Sequence, residues 1–591
     1  MPPRPIYIDA ADGPLFGVFH APASERAGGG RPAVLFCAPW GWNETVSYRS
    51  RRDWAEALAA AGHPVLTFDL PGVGDSGGSP HDAGLVERWV DAVTAASEHL
   101  ATIAPGREVA ALGMELGGLL ALEAARRGAP ISALALWAMP RDGRGFFRAT
   151  KAFSRMQRWG GGPDGDSPLP EGWIEAAGFV ISAETAAELQ ELKPTEADPP
   201  MGVRRALVLG RDQIAPEDAL VDHLAGAGIA VEAAAGPGWE DMVTHPGYTT
   251  APPETMERFG HWLMAGAESG DGAAVVEPAA AEAQIPVGEG TVRERPLDLM
   301  PAGTFGILAE PVDAPSADHC VVFLNAGAVR HIGPNRIWVD SARELAAAGV
   351  RSVRVDLAGI GEAAGESARF AEVAEFYEPE FGEQVGAVLG ALERAGIGRR
   401  FILAGLCSGG YWAYRLGVDD TRVDRVVLLN TGALIWRHSL VMEYDEKGIS
   451  MLGQGRLWRK LLHGEFDLKK IRAFAYLVMR RLRQEGRSLY RRVRGGGTEG
   501  PAEREPRLEA ELDLLRDRGT TLALAFSAAE RAFEELDRKG IVAEIGRWPN
   551  VDLLELPGVD HALASTSAQA AARGLLRRVA VGEVENVTQA L

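Results

Sequence analysis

LAGLCSGGYW, Leu403–Trp412, places a cysteine where an apolar strand-like run turns into a helix-like one, with glycine two positions before it and two after. A second stretch, AALGMELGGLL (Ala110–Leu120), has the same outline with Glu115 at the matching place. A strand that turns this sharply into a helix holds its central residue in strained backbone. The flanking glycines let the two elements approach closely enough to keep it there. One glycine frame is written twice, once around a thiol and once around a carboxylate.

Working outward, the rest of the chain corresponds in the same order. RPIYIDAADGPLFGVFHAP near residue 5 answers to RERPLDLMPAGTFGILAEP near residue 293, each reading as two short strands around a turn. RSRRDWAEALAAAGHPVLTFDLPGVGDSGG answers to NRIWVDSARELAAAGVRSVRVDLAGIGEAAGE: an amphipathic helix, a β-branched strand and a glycine-rich loop. Asp69 and Asp356 match at a spacing of 287, Glu115 and Cys407 at 292. So small a drift means two copies of one α/β fold, each with a mostly parallel sheet covered by helices on both faces. Residues 1–265 and 291–591 are the expected domains. The Ala-, Gly-, Glu- and Pro-rich stretch 266–290 reads as a linker. Insertions at about 141–200 and 431–515 are expected to cap the carboxyl ends of the strands, where ligands bind in such folds.

Length and composition agree with this reading. The 591 residues exceed one ordinary core, and 46% hydrophobic with 24% charged residues describes a globular chain. A net charge of −20 argues against a general nucleic-acid binder, and is otherwise a solubility charge spread over two domains. Three cysteines, Cys37, Cys320 and Cys407, are too few and scattered for a disulfide framework or a metal site. No Walker loop or dinucleotide fingerprint is present, so neither metal nor cofactor is expected. Without a signal-type apolar segment or a long apolar span, the expectation is a cytoplasmic protein with no transmembrane segment.

Gly405-Leu406-Cys407-Ser408-Gly409 fits a nucleophile turn with Cys407 at its centre. The Ser408 amide, at a helix N-terminus, is placed to donate to an oxyanion. Reading Ser408 as the nucleophile loses the first glycine of the frame; the plain alternative is a cysteine packed at a strand end. A nucleophile needs a base and the base an orienting acid, here in the chain order nucleophile, acid, histidine. His561, after the strand-like VDLLELPG, fits the base. His438 and His463 fall in the cap, and His331 in an early loop. Glu530 is the first carboxylate after TTLALAFSAA and fits the acid, with Glu534 and Glu535 behind it and Asp560 as a lesser candidate. A second oxyanion donor is expected from Ala326, Gly327 or Ala328, in the loop after the third strand.

These residues resemble the α/β-hydrolases. The resemblance is carried by NAGAVRHIGPNRIWVDSARELAAAG, VDLAGIGE, GLCSGG and GVDH in the second half, and by CAPWGWNE, FDLPGVGDSGG and GMELGG in the first. Both halves are similar to the serine-aminopeptidase-type subgroup, including hydrolases associated with exosortase and exopolysaccharide loci. A cysteine turn resembles dienelactone hydrolases and polyhydroxyalkanoate synthases, which implies an acyl-enzyme on Cys407. The expected activity is hydrolysis of an ester or thioester, small or carrier-bound. Acyl transfer to an alcohol or amine and a non-catalytic scaffold are the alternatives.

The first half departs from this pattern. Glu115 stands at the nucleophile place, Asp212 where the acid belongs, and His245 where the base does. Carboxylate nucleophiles in haloalkane dehalogenases and epoxide hydrolases are similar in position but use the shorter aspartate. Three readings stand open: a degenerate half kept for assembly or substrate binding, an active carboxylate site, and a buried Glu115–His245 ion pair. In the second cap, residues 456–494 hold 13 Lys or Arg against 3 Asp or Glu. That helix-like stretch fits an anionic partner, the acidic first half, or simply a solvated face.

Overall fold

The computed structural model describes residues 3–582 except 24–30, 160–168, 248, 266–273, 277, 279–281, 299, 313–317, 437–505, 529 and 559. The basic stretch 456–494 therefore lies outside the described residues, together with His438 and His463.

Two large sheets carry the described chain. The first contains β1 (Arg4–Ile8), β2 (Leu15–His20), β3 (Ala33–Cys37), β4 (Val65–Phe68), β5 (Val109–Met114) and β6 (Ala133–Trp137). A small antiparallel hairpin, β7 (Ile174–Ala176) and β8 (Phe179–Ile181), interrupts it before β9 (Arg205–Leu209) and β10 (Ala230–Ala234) complete it. Its spatial order is β1-β2-β4-β3-β5-β6-β9-β10. The second sheet has β11 (Ala283–Val287), β12 (Gly290–Pro296), β13 (Phe305–Pro311), β14 (His319–Phe323) and β15 (Arg351–Asp356). It continues with β16 (Arg400–Leu406), β17 (Val423–Leu429), β18 (Thr521–Ser527) and β19 (Val551–Leu556). Its order is β11-β12-β13-β15-β14-β16-β17-β18-β19.

Without β11, the two orders are identical. In each sheet only the early strands run antiparallel, and the rest pair in parallel. This is the α/β-hydrolase fold, present twice. The reason lies in the strands: AVLFC and VAALGM are apolar throughout because helices cover both faces of a parallel sheet.

One stretch differs from the sequence reading. Ala283–Val287, inside the expected linker, forms β11 at the edge of the second sheet, with Ala283 and Ile285 buried. The alternation is only three residues deep and holds Pro286, which an edge strand tolerates. The first insertion forms a helix (Gly143–Trp159), the β7–β8 hairpin and a helix (Ala183–Glu191), and its Phe146 and Phe179 pack on Trp40, just beyond the end of β3. In the second, the described part includes the helix Pro506–Arg518, which leads into β18. Among the described residues, no helix is long and apolar enough to cross a membrane.

The halves share a core. Tyr7, Phe16 and Val18 of the first pack with Ile285, Trp338 and Ala342 of the second. They also reach into one another in matching fashion. Arg336 donates to the Gly74 carbonyl at 2.8 Å, and Arg52 donates to the carbonyls of Gly361 and Ala363. Gly74 and Gly361 correspond at the spacing of 287 (361 − 74).

Candidate active site

β16 runs out at Cys407, which adopts φ 56°, ψ −122° before the helix Ser408–Asp419 begins. Glu115 has φ 50°, ψ −118° between β5 and its own helix. Positive φ at a non-glycine residue costs energy and persists only where the surroundings enforce it. The glycines do so by vacancy. A Cβ on Gly405 would stand 2.2 Å from the Gly409 carbonyl carbon, and one on Gly409 2.4 Å from the Asn325 carbonyl oxygen. Cys407 is half-buried, whereas Cys37 and Cys320 are buried and burial pushes their thiols up to about 12.

The loop after β19 presents His561, and its Nδ1 lies 2.9 Å from Glu530 Oε1. Glu530 is buried and sits immediately before the helix Arg531–Arg538, beyond the end of β18. Desolvation opposes a charge on His561. The charge of Cys407, a side-chain hydrogen bond with it and the Glu530 carboxylate outweigh that, and hold the imidazole well above its ordinary range. With Nδ1 on Glu530, Nε2 is the ring nitrogen left for the sulfur. The His561 side chain is 42% exposed.

The loop after β14 crosses the start of the elbow helix. Its Gly327 amide donates to Ser408 Oγ at 3.1 Å, which engages the Ser408 hydroxyl with this loop. Ala326 is buried and Ala328 partly so. Asp560 accepts from the Ala564 amide at 2.5 Å and so shapes the histidine loop. Glu535 pairs with the buried Lys539, which follows the end of its helix. His331 is fully buried between Asp356 and Asp75, one on each ring nitrogen.

Asn430 is a residue that the sequence reading missed. At φ 41° it closes β17, and its Nδ2 donates to Ser527 Oγ (2.9 Å), the His561 carbonyl (3.1 Å) and the Asp560 carbonyl (3.3 Å). Its Oδ1 accepts from the Ser527 amide at 2.7 Å. One buried amide thus joins the strand beside the cysteine, the strand before the acid and the histidine loop. The available signal was a polar residue closing the apolar run VVLL.

In the first half the matching residues are differently engaged. Glu115 Oε2 accepts from the Trp40 amide at 3.3 Å and Oε1 from Asn43 Nδ2 at 2.6 Å. Burial pushes this carboxyl up to about 7, against those two hydrogen bonds and the charge of Arg211. Asp212 accepts from the amides of Gly238, Trp239 and Glu240, at 2.9, 3.0 and 3.2 Å. His245 Nδ1 accepts from the Gly247 amide at 3.1 Å, and burial lowers its pKa. The structure thus shows Asp212 bonded to backbone rather than to His245, and Glu115 bonded to the loop after β3. The Glu115–His245 ion pair, one of the three readings left open, is not among the contacts of Glu115.

A cavity of about 560 Å³, lined among others by Trp40, Phe179, Asn335 and Gln569, lies at the junction of the halves; Cys407 is not part of its wall.

The alpha/beta hydrolase family model matches residues 27–265, the half that carries Glu115. Among solved structures, Est1E from Butyrivibrio proteoclasticus with bound ferulic acid is 18% identical, covering 44% of this chain and 98% of its own, with a TM-score of 0.32. A thermostable carboxyl esterase from Bacillus coagulans, in complex with glycerol, is 14% identical, covering 40% of this chain and 91% of its own, with a TM-score of 0.29. No curated protein matches the chain.

Proposed function

We propose that the protein is a hydrolase that cleaves an ester or thioester at Cys407, through an acyl-enzyme. The observation that carries this reading is the run Glu530, His561, Cys407, with the sulfur at the apex of a strained turn and the imidazole protonated more readily than usual. Sulfur attacks the carbonyl carbon, and a tetrahedral oxyanion forms in front of the Ser408 amide and the amides of Ala326 and Ala328, that of Gly327 being taken by Ser408 Oγ. His561 then gives its proton to the leaving alcohol or thiol as the carbonyl re-forms. Water gives a proton to the same ring and attacks the thioester; the C–S bond breaks, the acid departs, and sulfur and ring are back in their starting state. Glu530 holds the ring's orientation and favours its charged form.

The test is a burst assay with an activated ester. Stoichiometric release of the first product, followed by slower turnover, is expected of wild type, and Cys407→Ala should abolish both phases. Turnover that persists in Cys407→Ala would refute the assignment.

A further inference from the structure

We propose that Asp69 and Asp75 of the first half are positioning residues for the Cys407 site, acting through Arg330 and His331, which anchor the loop facing the thiol. This rests on the acyl chemistry proposed for Cys407.

An oxyanion loop works only if its amides stand within a few tenths of an ångström of the developing charge. The loop from Leu324 to His331 is held from its own half at the start. Asn325 Nδ2 donates to Asp356 Oδ1 at 2.8 Å and to the Val329 carbonyl at 3.1 Å, and its Oδ1 accepts from the Leu357 amide at 2.9 Å. Its far end is held jointly. The amide and Nδ1 of His331 both meet Asp356 at 2.6 Å, while Nε2 meets Asp75 Oδ2 of the first half at 2.8 Å. Arg330 meets Asp69 at 2.9 and 3.2 Å, Glu44 at 3.5 Å and Asp75 at 3.6 Å, with its guanidinium over the Tyr48 ring at 4.1 Å.

Arg330, His331, Asp75 and Asp69 are all buried. Two adjacent cations at the end of a catalytic loop are therefore neutralised mainly by carboxylates that the other half supplies. An unpaired buried charge is too costly to leave in place, so without those carboxylates the loop would move toward water. This gives the first half a task that needs nothing of Glu115.

The experiment uses the full chain with Asp75→Asn, Asp69→Asn and the milder Arg330→Lys. Acylation by a p-nitrophenyl ester needs the oxyanion donors, whereas alkylation of Cys407 by iodoacetamide is a displacement at carbon that does not. Asp75→Asn and Asp69→Asn should slow acylation roughly 10- to 100-fold with KM little changed, and leave alkylation within about twofold. Arg330→Lys should fall between these and wild type. Deuterium exchange over 324–332 should quicken while that over 400–430 stays the same. Equal falls in acylation and alkylation, or no fall in either, would overturn the proposal. Should wild type resist acylation, the function proposed above fails, and exchange decides alone: unchanged rates over 324–332 then overturn the positioning.

Discussion

Asp75 of the first half and His331 of the second meet at 2.8 Å across the junction, and Asp356 takes the other ring nitrogen at 2.6 Å. A ring between two carboxylates needs a proton on each nitrogen, and so carries charge. Burial works against that charge, but Asp75 and Asp356 overcome it and raise His331 to about 9. An unfolded histidine titrates near ~6.5. The folded value is the higher, so the stabilisation is complete below about pH 6.5 and is lost as pH rises through 9. Arg330 and Arg354 also face Asp75, at 3.6 and 2.6 Å. Urea unfolding should show a loss on the order of 3 kcal/mol between pH 6.5 and 9 that His331→Gln abolishes. A flat wild-type profile would contradict the buried imidazolium.

Glu530 favours the charged ring of His561 at 2.9 Å. Glu530→Gln should lower kcat/KM for an activated ester by roughly 10²-fold and move the basic limb of its pH profile downward. An unshifted limb would mean that Glu530 does not tune the histidine.

Asn430→Ala removes a buried donor that serves Ser527, Asp560 and His561 together, and leaves the Ser527 amide without its acceptor. The expected cost is about 1–3 kcal/mol of stability by urea unfolding, with kcat falling more than KM rises. Asn430→Asp, which keeps the acceptor for Ser527, should recover part of the stability.

Burial raises Glu115 from its ordinary 4.5 to about 7. Here the folded state holds the proton more tightly, so stability declines as pH climbs from about 4.5 to 7. Glu115→Gln should remove that decline, gaining on wild type by up to the order of 3 kcal/mol at pH 8, while acylation at Cys407 stays within about twofold. A large loss of acylation would return the first half to the chemistry.

The repeat and both elbows were legible because their cause is local: glycines at fixed offsets mark where a strand and a helix must touch. His561 and Glu530, 31 residues apart, were reachable from chain order, since a fold that fixes the order of strands fixes which loops meet. The edge strand β11 was hidden by composition, because Ala283–Val287 sits in a Pro- and Gly-rich stretch with only two buried side chains. Asn430 was missed because a strand-closing amide looks like any loop residue until its three partners are in view. The junction was invisible for a deeper reason. Arg330 and Asp69 are 261 residues apart, and no periodicity links the ends of an ion pair between two domains.

The central claim is that Cys407 carries the acyl group. Incubating wild type, Cys407→Ala, Ser408→Ala and Glu115→Ala with an electrophilic ester probe and mapping the added mass to peptides tests it most directly. One acyl mass on the peptide containing Cys407 in wild type, Ser408→Ala and Glu115→Ala, and none in Cys407→Ala, is the predicted result. Labelling that survives Cys407→Ala but vanishes in Ser408→Ala would contradict it.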